Sequence, residues 1–526
     1  MAPRDQGSAR SEREAGWRCR DEGSYRALLE EAHAVPTETS ERKPGPVRQF
    51  RWSLFTGRQA RNEKLAKIHD PSNDQRRAWM AGVSADLTVR TELPRDRVSF
   101  LVLGDPGEGD ASQFAVVPPL LRVGDDTDFM VIASDVVYPA GDANDYCRRL
   151  YMPYRDYKKP IYAVPGNHDW DDGGLFGFMF HFCDREDLPP LVLDAVPVAL
   201  RPFWRGPTPP DELTRDARDE RRREVPQPTQ PGPYFALEAG PVLVLGLDLG
   251  IRGSLDRDQA RWFRETARGD PRPKIVVTGK PIWFEGRYEP SPLEDGGTVD
   301  DLIRDPAHAV VACLSGEIHN YQRYPVAAPG GRTIQYVVCG GGGAFTQGTH
   351  IVPPIDVPNP TPGLPPVREP DVRMYPPRAD SLSFFSELYC AKLRELLGSR
   401  RRLAKALRRR GLPSPDELWI RPAAAKTIVA EWTGIPPERE SAEPTRAERR
   451  AANVIRWLPS GHFSEIYYPY WDWDQPPFFK SFLRVDATEE EIRIRCFAVT
   501  GCGEHEQDPP LEDEVRWSSE SGWGEA

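Results

Sequence analysis

The sequence predicts an α/β fold built mainly on parallel strands. Three observations predict it. Seven apolar runs each stop at a polar or glycine-rich tip. The first three tips, at Asp105, Asp135 and Asn167, recur at roughly 30 residues, the size of one strand–helix–strand crossover. Segments with helical patterning fill the gaps between runs.

The runs are VSFLVLGD (98–105), DFMVIASD (128–135), PIYAVPGNHD (160–169), VLVLGLD (242–248), KIVVTGK (274–280), AVVACLSGEIH (309–319) and TIQYVVCGGGG (333–343). Each reads as a buried strand. Asp110 is the expected N-cap of a helix over Ala111 to Val123, which Pro118 and Pro119 should interrupt. Asn144 to Tyr157 alternates apolar and charged faces. A helix after Ser254 carries Gln259, Trp262 and Phe263. In open α/β sheets, ligands bind outside the carboxyl ends of the strands. The tips should therefore meet along one edge. That edge gathers Asp105, Asp135, Asn167, His168, Lys280, Glu317 and His319.

The flanks differ from this core. Residues 1–45 are polar, without a sustained period, and read as a disordered tail. Residues 46–97 hold Trp52, Phe55, Ile68, Trp79 and Met80 among charges, a helical preamble to a core over 98–352. Residues 353–475 form an insertion, proline-rich at first and then helical from Leu382 to Arg410. The stretch 392–410 is basic and suits contact with an anionic surface; a solvated helix face is the simpler reading. An aromatic stretch from Trp457 could cover the site or simply pack on the core. FFKSFLRVD (478–486) and EIRIRCFAVTG (491–501) alternate and read as a hairpin, within 476–503, that completes the core. An acidic tail, 504–526, is expected to be mobile.

Composition narrows the function class. A net charge of −11 argues against a general nucleic-acid binder. The 8 cysteines are scattered and form no CxxC pair, which speaks against a disulfide or zinc framework and for a reducing compartment. No apolar run reaches membrane-spanning length and no secretory core precedes the first strand, so the expected location is the cytoplasm.

The chemistry concentrates at Gly166-Asn167-His168-Asp169. An amide oxygen, an imidazole and a carboxylate are what a phosphoester-cleaving metal centre needs. With Gly104-Asp105-Pro106-Gly107, Ser134-Asp135-Val136-Val137-Tyr138 and Gly316-Glu317-Ile318-His319, the order of motifs resembles the calcineurin-like metallophosphoesterases. The tyrosine in the second motif resembles the purple acid phosphatase branch. The LGLD at 245–248 followed by Gln259-Ala260-Arg261-Trp262 also resembles the family pattern. The resemblance implies a four-layer α-β-β-α sandwich of two facing mixed sheets, here with a large insertion. It implies a first metal held by Asp105, Asp135, Tyr138 and His319, with iron preferred over manganese or zinc for that donor set. It implies a second metal shared by Asp135 and Asn167. His168 would contact the phosphate or protonate the leaving oxygen, and Asp169 would orient it. His350, after the glycine-rich tip, could line the site.

The sequence departs from the family at two positions. Where the second metal takes two further histidines, this chain has Lys280 and Glu317. A protonated ammonium cannot bind a cation. Lys280 and Glu317 could pair, leaving one metal, with Lys280 supplying catalytic positive charge. Glu317 could hold a weaker second metal. Or catalysis could be lost. The resemblance implies hydrolysis of a phosphate ester by a metal-bound hydroxide, on a phosphorylated small molecule or other phosphoester. The alternative is a non-catalytic or weakly active binding or scaffold protein on the same fold.

Overall fold

In the computed structural model, residues 65, 68–399, 418–437, 441–456, 477–501 and 508–525 are described. The main strands are β1 Thr88–Val89, β2 Arg97–Leu103, β3 Phe129–Ala133, β4 Ile161–Val164, β5 Phe235–Ala239, β6 Val242–Leu247, β7 Lys274–Thr278, β8 Val310–Ser315, β9 Tyr321–Ala328, β10 Arg332–Cys339, β11 Arg373–Tyr375, β12 Lys480–Thr488, β13 Glu491–Val499, β14 Leu511–Ser518 and β15 Gly522–Glu525. One sheet runs β1-β5-β6-β7-β8-β10-β9-β11 and the other β15-β14-β13-β12-β2-β3-β4. Both are mixed. β2, β3 and β4 are parallel neighbours, as are β6, β7, β8 and β10. Hairpin pairings such as β9–β10 and β12–β13 are antiparallel.

The period of two decides which side chain enters which layer. Phe100, Val102, Val131 and Val164 meet Leu237, Val244, Val277 and Leu314 between the sheets. The alternate residues Leu101, Leu103, Met130 and Ile132 pack outward with Phe114, Tyr146 and Phe178. On the far side, Leu245, Val276 and Cys313 pack with Trp262 and Phe263 of the helix Arg257–Gly269. The four layers are therefore α-β-β-α. Because both faces of each central strand are covered, the runs read as continuous apolar stretches rather than alternating ones.

Several sequence expectations change. The helix Ala111–Val123 continues through Pro118 and Pro119. Burial of Phe114, Ala115, Val116 and Leu120 holds it together despite the missing N–H groups. Within the expected mobile tail 504–526, the described residues 508–525 are ordered instead: β14 and β15 extend the sheet beyond the hairpin. Asp513 explains part of that, because it binds Arg323 (Nε 2.6 Å) and Tyr321 (Oη 2.7 Å) of β9. Trp523 also donates to the Val311 carbonyl of the opposite sheet at 3.0 Å. Nor is 353–475 wholly an insertion, since β11 forms an edge of the first sheet beside β9. The helices Arg378–Ser399, Pro422–Thr433 and Arg446–Ile455 enclose their own apolar cluster around Leu382, Ile420, Ala424 and Ile455. Basic residues 400–410 and the aromatic stretch 457–476 lie outside the described residues, as do 1–64. No helix among the described residues is long and apolar enough to cross a membrane.

The described preamble forms the helix Ser72–Met80 and strand β1, docked on the core. Its anchor is Arg76, fully buried between two carboxylates. Nε lies 2.8 Å from Asp248 at the tip of β6, and Nη1 lies 2.8 Å from Asp256. Asp256 caps the helix Arg257–Gly269. Asp248 also accepts from Trp170 at 3.2 Å, just past Asp169. Removing one partner of a buried ion cluster strands the others. Arg76→Leu is expected to cost about 3–5 kcal/mol, read as a lower urea midpoint at unchanged slope.

Candidate active site

The parallel strands deliver their tips to one edge. Asp105 follows β2, Asp135 follows β3, Asn167 follows β4, Lys280 follows β7 and Glu317 follows β8. The turns are tight: Asp105 (φ 53°), Asp135 (φ 37°) and Glu317 (φ 69°) all adopt left-handed backbone. Non-glycine residues held there store strain that surrounding contacts must offset. Gly316 shows how close the turns come. A Cβ on it would lie 2.1 Å from the Ala133 carbonyl oxygen and 2.6 Å from an Asp105 carboxylate oxygen.

The Tyr138 hydroxyl occupies the middle. It lies 3.0 Å from Asp135 Oδ2, 3.4 Å from Asp105 Oδ1 and 3.1 Å from His319 Nε2. His319 Nδ1 is 2.9 Å from the Phe345 carbonyl oxygen, which can only accept, so Nδ1 carries the proton. A neutral His319 then presents a lone pair at Nε2. One hydroxyl proton faces three acceptors. Burial, then the neighbouring Asp135 charge, holds the Asp105 carboxyl well above the usual carboxylate range. Burial and then the charges of Asp135 and Asp105 raise the Tyr138 phenol in the same way. A converging set of two carboxylates, an imidazole lone pair and a phenol oxygen fits one cation, and a cation reverses both shifts. No three His, Cys, Asp or Glu side chains among the described residues form a metal cage by themselves. The Tyr138 oxygen sits between them and completes the set.

The second position is different. Lys280 Nζ lies 2.6 Å and 2.5 Å from the two Glu317 oxygens. Glu317 N–H in turn donates to Asp105 Oδ2 at 2.8 Å. The Asn167 amide oxygen is buried without a hydrogen-bond partner among the described residues. With both Glu317 oxygens held by an ammonium, these residues do not fit a second cation.

His168 stands beside the centre. Its backbone N–H donates to Asp135 Oδ1 at 2.8 Å, and its ring lies 4.6 Å from the Tyr138 ring. Asp169 does not orient it. The Asp169 carboxylate accepts from the Gly166 and Val136 backbone N–H groups instead, pinning the turn. The groups at His168 Nδ1 are the Pro139 carbonyl, 2.9 Å away, and Asp171, 3.6 Å away. Asp171 lies one helical step of three residues from His168, a spacing visible in the sequence. The carbonyls of Pro139 and Phe345 were invisible there, because any residue supplies one.

His350 does not line this site. Its Nδ1 meets Ser381 Oγ at 2.8 Å, and its ring packs 5.1 Å from Phe385 in the helical insertion. Burial is why: a histidine in that apolar contact joins the insertion to the core.

The stretch 98–321 matches the family model described as calcineurin-like phosphoesterase. This chain carries a calcineurin-like phosphoesterase domain. Similar solved structures include a purple acid phosphatase, PPD1, from yellow lupin (Lupinus luteus) seeds, 10% identical, covering 81% of this chain and 55% of that one, TM-score 0.36. This chain thus spans about half of the lupin protein's length. PhoD is 9% identical, with 84% and 73% covered and TM-score 0.34. GAP50, described as the anchor in the inner membrane complex of Plasmodium, is 12% identical, with 53% and 81% covered and TM-score 0.32. No curated protein matches the sequence. The domain has a phosphoester hydrolase fold.

Burial pushes the His350 imidazole from 6.5 down to about 3. A depressed folded pKa stabilises fully above about pH 6.5, and that contribution is lost as pH falls toward about 3. His181 is depressed likewise by burial. His350→Gln is therefore expected to show a shallower loss of stability across that window, in urea midpoints measured from pH 7 to pH 4. Its metal content at neutral pH should match that of the unaltered protein.

Proposed function

We propose that this protein is a metal-dependent phosphoesterase with one metal position and a tethered lysine cation where a second would lie. The observation that carries the reading is the convergence of Asp105, Asp135 and His319 on the Tyr138 oxygen. These four residues would hold the ion. Their oxygen-rich donor set suits iron, with manganese or zinc next. When bound, such an ion polarises a phosphoryl oxygen and acidifies adjacent water.

The chain's own groups supply the rest. His168 directs its Nδ1 proton to the Pro139 carbonyl at 2.9 Å, and Asp171 lies 3.6 Å from the same nitrogen. Its side chain is 19% exposed, so substrate can reach it. A protonated His168 donates to the phosphate or to the departing oxygen. Lys280 and Glu317 are 16% and 19% exposed at the side of the centre. The ammonium, held by Glu317, offers its remaining donor to a phosphoryl oxygen.

One observation favours a second reading, a binding protein that has given up catalysis: Lys280 is already neutralised by both Glu317 oxygens. Three measurements separate the two. The purified protein should hold about one metal per chain, and Tyr138→Phe should abolish any visible phenolate-to-iron band. The protein should hydrolyse 4-nitrophenyl phosphate or its diester analogue. His168→Ala should lower that rate by about 10²–10⁴ with the fold intact. A stable protein free of metal, or one inert on both esters across iron, manganese and zinc, overturns the enzyme reading.

A further inference from the structure

A cavity of about 210 Å³ opens beside the Lys280–Glu317 pair. Its walls are mostly polar, with one apolar part. Phe284 and three prolines (Pro281, Pro290 and Pro292) line it, and prolines bring no backbone N–H. Phe284 is nearly buried, and the Arg287 guanidinium covers its ring at 4.9 Å. The loop that forms one wall approaches closely because residue 253 is glycine. A Cβ on Gly253 would lie 3.1 Å from Lys280 Cδ and 3.3 Å from Ser291 Oγ, and its φ is +82°.

Two cations, Arg252 and Lys280, and two carboxylates, Glu289 and Glu317, line this cavity, but they are not all paired with one another. Lys280 is matched by Glu317. Glu289 lies 3.3 Å from Arg287, which also binds Glu285. Arg252 remains. It is exposed at the cavity wall, and no carboxylate forms an ion pair with its guanidinium among the described residues. The nearby Asp70 instead accepts from the Arg252 backbone N–H at 3.0 Å. A mostly polar cavity with an ion pair at one side and, at another, a guanidinium that forms no ion pair among the described residues suits an anionic ligand. Guanidinium favours planar anions such as carboxylate, or phosphate.

We propose that this cavity receives the leaving group of the phosphoester and that Arg252 selects leaving groups bearing an anionic group of their own. This rests on the phosphoesterase reading for the reacting end of the substrate. The cavity touches that end through Glu317, whose backbone N–H binds Asp105. The substrate class is a phosphate ester of a compact alcohol or phenol that carries a carboxylate or a second phosphate. Arg252 is a specificity residue here and takes no part in bond cleavage.

The test uses full-length, metal-loaded protein and calorimetric binding of three non-hydrolysable probes. They are ethylphosphonate, 3-phosphonopropionate and ethane-1,2-bisphosphonate. The unaltered protein should bind at least one of the two probes with a distal anion about tenfold more tightly than ethylphosphonate. Which of the two gains more distinguishes carboxylate from phosphate as the group recognised. Arg252→Ala should erase the preference, and Arg252→Lys should restore part of it. Equal affinity for all three probes, absence of binding, or a preference that survives Arg252→Ala overturns the proposal. Hydrolysis of 4-nitrophenyl phosphate is measured in parallel. Turnover without the binding preference removes the cavity assignment alone. The preference without turnover removes the enzyme reading, and with it the leaving-group role, but leaves Arg252 as the residue that selects the distal anion.

Discussion

Two carboxylates buried against each other set the terms for the rest of this structure. Asp105 and Asp135 lie at adjacent strand tips, and both share the Tyr138 hydroxyl. Like charges cannot be placed together in a low dielectric without a compensating cation or proton. The backbone around them is arranged to this end. Three tip residues sit in the left-handed region, and glycines stand where a side chain would collide. A Cβ on Gly166 would lie 2.2 Å from Asp135 Oδ1, and one on Gly340 2.5 Å from Asp105 Oδ2. Such strain persists only where packing over-determines it, and here two sheets and two helical layers supply that packing.

The Lys280–Glu317 pair makes the second half of the centre a fixed ion pair rather than a variable one. A bound metal can dissociate or exchange. A tethered ammonium cannot, and its charge is limited to one and already matched. In the proposed one-metal reading, the pair exchanges electrostatic strength for permanence. Its position, on β7 and β8 of one sheet, is also distinct from Asp105 and Asp135, which ride on β2 and β3 of the other. Glu317 N–H to Asp105 Oδ2 is a direct bond between the two halves.

Much of this was legible in the sequence for one reason. Parallel strands buried on both faces leave long apolar runs, and the first polar residue after each run marks its tip. Asp105, Asp135, Lys280 and Glu317 were found that way, and the sandwich followed from the motif order. The contact between Lys280 and Glu317, 37 residues apart, is a matter of tertiary distance that the sequence left open. What stayed hidden depended on partners remote in sequence or on backbone atoms. Asp169 looked like a partner of its neighbour His168, yet its carboxylate serves two backbone N–H groups. His350 follows a glycine-rich tip, yet Ser381 and Phe385 draw it into the helical insertion. β14 was masked by its acidic composition. Its Asp513 is acidic because Arg323 and Tyr321 need a buried carboxylate.

The pairing of β2 with β12 has a kinetic consequence. Ser99 and Asp486 share a hydrogen bond across 387 residues of chain. The strand that carries Asp105 thus has its antiparallel neighbour hundreds of residues downstream. Contacts of such separation slow folding, because loop closure must precede the gain. On the ribosome, the edge of β2 emerges long before β12 exists to cover it, and an open strand edge is a template for wrong partners. The edge that carries Asp105 is thereby completed only when a strand far downstream in the chain becomes available.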